Sequence, residues 1–149
     1  MLYLGIDPGF TGAWGLVNHH GDFVACGDMK HNDRWIDTNQ VSRDIMQARQ
    51  LDDVMVVVEA VHAMPKQGVS SSFKFGMAYG AALAIATRFS QFELVPPRVW
   101  KKDMGLTADK KDSLVMAREL WPDSPLERVK DNGRAEALLL AEWLRRAYC

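Results

Sequence analysis

The chain has 149 residues, 48% hydrophobic and 25% charged, with a formal net charge of −1. That length suits one domain with a full core, and no run of about 18 apolar residues offers a bilayer span. A near-zero net charge excludes a bulk electrostatic argument for nucleic acid, and two cysteines without metal-ligand spacing, Cys26 and Cys149, exclude a disulfide scaffold and fit a reducing cytoplasm.

The charge is unevenly spread. Residues 1–75 hold 6 Lys/Arg against 9 Asp/Glu, whereas residues 76–149 hold 12 against 10. Arg98, Lys101, Lys102, Lys110 and Lys111 cluster locally. They form either a phosphate-facing surface or a solvated charged face.

Residues 2–7 (LYLGID) read as an apolar strand that carries Asp7 into the turn Pro8-Gly9. There is no basic, signal-like start. A charge at the end of an apolar strand is costly unless compensated, which marks Asp7 as a candidate reactive group. Residues 12–18 and 22–28 read as two further strands joined by a turn at His19–Asp22. Thr38 is the expected cap of a helix to about Gln50, with Val41, Ile45 and Ala48 inward. Val54–Glu59 is a β-branched run suited to a strand buried on both faces, again with an acid at its end.

Residues 62–70 read as a loop, followed by a helix from Ser70 to about Phe89. Gly76, Gly80 and Ala84 make a smooth ridge on it, assigned to internal packing ahead of a dimer seam. Phe92–Val95 is a fifth strand, stopped by Pro96-Pro97. Thr107 or Asp109 caps the next helix, to about Leu120, and a final helix starts near Asp131.

Three antiparallel strands followed by βαβ crossovers predict an α/β domain over 1–149, with a mixed five-stranded sheet and helices on both faces. That order resembles the ribonuclease H-like fold, which would make Asp7 and Glu59 neighbours and bring a third acid from the last helix. Carboxylates without a competing Cys/His cluster suit hard Mg²⁺ or Mn²⁺, and two such ions suit phosphodiester hydrolysis. On the last helix, Glu136 lies one turn beyond Asn132, while Asp131 reaches the same end only from a cap conformation. The alternative is that Asp131 merely caps the helix and Glu136 is a surface acid.

The ordered motifs resemble the RuvC family of Holliday-junction resolvases, in its phage-encoded form. They are Gly5–Gly9 with Thr11-Gly12, Val57-Val58-Glu59, Ser72–Gly76 with Gly80, Val95-Pro96 with Trp100-Lys101, Gly105-Leu106, Asp109-Lys110, and Gly133–Leu138. The resemblance implies a homodimeric, membrane-free crossover junction endodeoxyribonuclease, cytoplasmic (host cytoplasm if phage-encoded). It would nick four-way or branched DNA with two Mg²⁺ per site, Mn²⁺ substituting.

Asp7, Glu59 and Glu136 carry over as catalytic metal ligands. Asp131 is assigned the fourth place, because Gly133 stands where bacterial members have an acid. If Asn132 replaces a natural aspartate, the chain binds junctions without cutting. A less selective nickase of the same fold is the other alternative. His62, Lys66, Gln67, Lys74, Lys101, Lys102, Lys110 and Lys111 are the expected DNA contacts, to phosphates and at the crossover. The Asp7–Gly12 stretch also resembles the phosphate hairpin of the sugar kinase/actin ATPase superfamily, but 149 residues leave no room for that superfamily's second domain.

Overall fold

The computed structural model describes residues 1–149. Strands β1 (Leu2–Asp7), β2 (Ala13–Asn18) and β3 (Phe23–Asp28) form an antiparallel meander. Helix α1 (Thr38–Arg49) then leads to β4 (Val54–Glu59), and α2 (Val69–Ala86) leads to β5 (Gln91–Val95). Strands β4 and β5 are added parallel to β1, giving the order β3-β2-β1-β4-β5. Helices α3 (Pro97–Asp103), α4 (Lys110–Leu120) and α5 (Asn132–Tyr148) complete the chain, with a short 3-10 turn at Val129–Asp131 before α5. The expected mixed five-stranded sheet is present, and no helix is long and apolar enough to cross a membrane.

Side chains alternate across a strand, so parity decides which face each residue serves. Leu2, Leu4 and Ile6, with Val54, Val56 and Val58, pack beneath α1 and α2. Tyr3, Val17, Val57 and Val95 pack beneath α3, α4 and α5. Each fully buried aliphatic side chain contributes about 1.5–3 kcal/mol. The same parity sends Asp7 and Glu59 to the α5 side, at the carboxyl ends of two adjacent parallel strands.

Helix α5 lies directly on the sheet centre. A Cβ at Gly5 would stand 2.0 Å from the Ala137 carbonyl oxygen, so only glycine permits this approach. The close packing draws Glu136 down to the ends of β1 and β4. At the end of β1, Gly9 adopts φ 132°, a backbone state that glycine alone visits readily. It turns the chain straight back into β2.

Several expected boundaries differ. The cap of α1 is Asp37, whose carboxylate accepts the Gln40 N–H, not Thr38. Pro96-Pro97 does stop β5, but Pro97 also opens α3, a helix with no counterpart among the expected elements. Its fixed φ and missing N–H cost nothing in the first turn of a helix. Helix α2 ends at Ala86, three residues earlier than expected, and closes in turns through Phe89.

The ridge on α2 is also corrected. Ala78, Ala82 and Ile85 are the residues facing the sheet, whereas Gly76, Gly80 and Ala84 face solvent, and nothing lies within 4 Å of a Cβ built at either glycine. Internal packing therefore does not explain the ridge.

Candidate active site

A cavity of about 430 Å³ opens at the carboxyl ends of β1 and β4. Asp7, Glu59 and Glu136 line it, with Lys74, Lys101 and Lys110 around them and the Pro8–Gly12 turn as one wall. Sequence reading placed these six residues in the site, and the structure brings all of them together.

The three acids are held differently. Asp7 is 8% exposed. Burial raises its pKa well above the usual carboxylate range, and the charges of Glu59 and Glu136 add to this against Lys110 and Lys101. Glu59 is raised too, again chiefly by burial, while the Trp100 indole opposes the shift by donating to its Oε2 at 2.8 Å. Glu136 accepts from Lys101 Nζ at 2.8 Å and from Ser113 Oγ at 3.3 Å. Trp100 and Ser113, both fully buried, were missed as partners of the acids. Trp100 sits in the helix that sequence reading did not anticipate, and a buried serine carries no distinctive spacing.

Asp131 does not join them. It is buried, but its carboxylate closes on Arg128, accepting from Nη2 at 2.7 Å, from Nε at 3.0 Å and from the Arg128 backbone N–H at 2.8 Å. Burial alone would raise its pKa; the Arg128 hydrogen bonds and charge outweigh that and hold it below the usual range. Neither Asp131 nor Asn132 lines the cavity. Position 133 offers no substitute, because a Cβ there would stand 2.8 Å from the Thr11 carbonyl oxygen. Three acids, not four, therefore line the cavity.

The expected DNA contacts fall into two groups. Lys74, Lys101 and Lys110 face the cavity, with Lys74 Nζ 4.6 Å from the Phe10 ring centroid. His62, Lys66, Lys102 and Lys111 lie outside it, exposed or nearly so. Gln67 is occupied in its own loop, where its Oε1 accepts the Met64 N–H at 3.1 Å and its Nε2 donates to Ser71 at 3.4 Å.

The donor set fits a hard divalent cation. All three candidate ligands are oxygens, and Asp7 is a buried acid among two others, a charge excess that a cation would relieve. No three acidic, His or Cys groups yet close into a ready-made shell. Lys101 holds one carboxylate of the set, in the role of a counter-charge.

No protein-family model matches the chain. Over 91 residues it is 38% identical to the chloroplastic Holliday junction resolvase MOC1 of Chlamydomonas reinhardtii, a match to 58% of this chain and 10% of that protein. The chain thus spans about a tenth of the length of that curated relative. Among solved structures it is similar to Thermus thermophilus RuvC in complex with a Holliday junction substrate, with TM-score 0.69 and 20% identity, covering 99% of this chain and 95% of that one. A second Thermus thermophilus RuvC structure gives TM-score 0.70, also at 20% identity, covering 99% and 96%. The chain has the RuvC fold, within the ribonuclease H-like architecture.

Proposed function

We propose that residues 1–149 form one nuclease domain, a metal-dependent, structure-selective endodeoxyribonuclease that resolves four-way and related branched DNA junctions by paired nicking. The observation that carries this reading is the convergence of Asp7, Glu59 and Glu136 in one lysine-rimmed cavity, on the fold of RuvC. The resolvase relative and the junction-bound RuvC neighbour supply the substrate class.

Asp7, Glu59 and Glu136 would hold two divalent ions, Mg²⁺ with Mn²⁺ able to replace it. Such ions, when bound, neutralise charge on the phosphate and lower the pKa of an attacking water. The chain's own residues do the rest. Trp100 fixes the orientation of Glu59, and Ser113 with Lys101 fixes that of Glu136. Lys74 and Lys110 bring positive charge to the cavity wall, where a phosphodiester must lie. Such contacts position the backbone without reading bases, which suits selection by junction shape.

Paired nicking needs two sites related by symmetry. The exposed face of α2 supplies a seam. Phe73, Met77, Gly76, Gly80 and Ala84 are exposed along it, and Phe92 and Leu94 on β5 are 39% and 47% exposed on the same face of the sheet. Large apolar side chains exposed in this way mark an association site, and a second copy of the chain is the proposed occupant.

The test is a panel of labelled four-way junction, Y-fork, duplex and single-stranded DNA with Mg²⁺, Mn²⁺ or EDTA. Paired symmetric nicks confined to the junction and abolished by EDTA support the reading. Equal cutting of every substrate, or cutting in EDTA, overturns it.

A further inference from the structure

We propose that a second cavity, beside the acidic one, is a phosphodiester subsite that seats the DNA strand next to its cleavage position. The proposal rests on the nuclease reading above. This cavity measures about 370 Å³ and is lined by Phe10, Thr11, Lys30, His31, Arg128 and Lys130, among others. It shares Phe10, Thr11 and Gly12 with the acidic cavity, so the β1–β2 turn is the partition between them. A strand whose scissile phosphate enters the acidic cavity and continues over this turn meets the second cavity next.

The donors come from two separate parts of the chain. Lys30 and His31 follow β3, and Arg128 and Lys130 precede α5. Lys30 Nζ spends one bond on Asp44, at 2.8 Å, and is 53% exposed. Arg128 uses Nε and Nη2 on Asp131 and is 49% exposed, which leaves Nη1 without a protein partner. Lys130 is exposed and forms no ion pair.

The Nδ1 of His31 accepts the Asp33 N–H at 3.1 Å, so Nε2 carries the proton of the neutral ring and donates. The one acid lining the cavity, Asp28, is already occupied by Arg134 at 2.8 and 3.0 Å. The partition itself is braced, with the His31 ring edge-on to Phe10 at 5.1 Å and Lys74 over the same Phe10 ring.

This arrangement gives Asp131 a purpose other than metal binding. It is a positioning residue. Its buried carboxylate locks the Arg128 guanidinium at the cavity rim before substrate arrives, which removes an ordering cost from binding. Two lysines, an arginine with a free nitrogen and a histidine N–H, with the lining acid Asp28 paired to Arg134 and the exposed Asp33 carboxylate 3.4 Å from the Nδ1 edge of His31, suit the repeating monoanion of a sugar–phosphate backbone.

The test uses the full chain carrying Asp7→Asn, to hold junctions without cutting, with Lys130→Ala or Lys30→Ala added. Both lysines are exposed, so their loss leaves the core intact, and thermal melting checks this. Junction affinity is measured across a salt series, and on junctions with a neutral methylphosphonate at one linkage at a time beside the nick. Each lysine variant should lower the slope of log K against log salt by roughly 0.7–0.9, one phosphate contact. Each should also remove the penalty that one neutral linkage imposes on the parent chain.

An unchanged slope together with an unchanged methylphosphonate pattern overturns the subsite. If the unmutated chain still makes paired nicks in that case, the nuclease reading stands alone. If the parent chain fails to bind junctions and the unmutated chain fails to cut them, both fall.

Discussion

The fully buried Trp100 donates its indole N–H to Glu59 Oε2 at 2.8 Å. The contact follows from the strand register, because β5 pairs Val95 with Glu59 and α3, which carries Trp100, begins two residues later. Trp100→Phe keeps most of the packing and removes only the donor. Loss of a partner that orients a metal ligand typically costs about 10–100-fold in metal affinity or activity, and the same loss is expected here. The indole also lowers the Glu59 pKa, so its removal raises that pKa further. The acidic limb of the pH–rate profile should therefore move to higher pH, a shift that a merely loosened core would not produce.

Asp7 makes the fold sensitive to pH in the direction opposite to an ordinary salt-bridged acid. Its folded pKa is raised by burial and by Glu59 and Glu136. The folded state then binds more protons than the unfolded state between the unfolded and folded pKa values, so stability falls as pH rises through that window. Asp7→Asn should melt at a higher temperature than the parent at neutral pH in EDTA, by roughly 2–4 °C for each kcal/mol relieved. Mg²⁺ should raise the parent's Tm much more than the variant's. Calorimetry with and without Mg²⁺ checks both.

The Asp131–Arg128 pair has the other sign. The pKa of Asp131 is held low against its own burial, so the pair stabilises the fold above the unfolded carboxylate pKa and is lost as pH falls through the folded value. Asp131→Asn should cost about 1–3 kcal/mol at neutral pH. The Mg²⁺ concentration for half-maximal nicking should not move, since Asp131 lies off the acidic cavity. A large increase in that concentration would return Asp131 to the ligand set.

The α2 ridge predicts a clean separation of assembly from folding. Gly80 has open space at its Cβ, so Gly80→Arg meets no clash within one subunit and gains about 1 kcal/mol of helix propensity. Sedimentation should show a dimer for the parent and a monomer for the variant, with Tm not lowered. Junction products should change from paired to single nicks.

How much of this was legible in the sequence depends on how local each signal was. The acids at the ends of β1 and β4 were visible because an unbroken apolar run ending in a carboxylate is a short-range pattern, and strand parity then fixes the shared face. Helix α3 was hidden because a proline pair signals both the end of a strand and the start of a helix. Asp131 was misplaced because sequence spacing brings a carboxylate to a helix end without saying whether a cation three residues back will claim it, as Arg128 does. The outward α2 ridge was misread because small residues permit close packing from either side of a helix. Only the sheet-facing Ala78, Ala82 and Ile85 decide which side is free.

The three-acid centre is tested most directly by Asp7→Asn acting on a labelled synthetic four-way junction in Mg²⁺. The prediction is that paired nicking disappears while junction binding is largely retained. Undiminished cutting by the variant would contradict it.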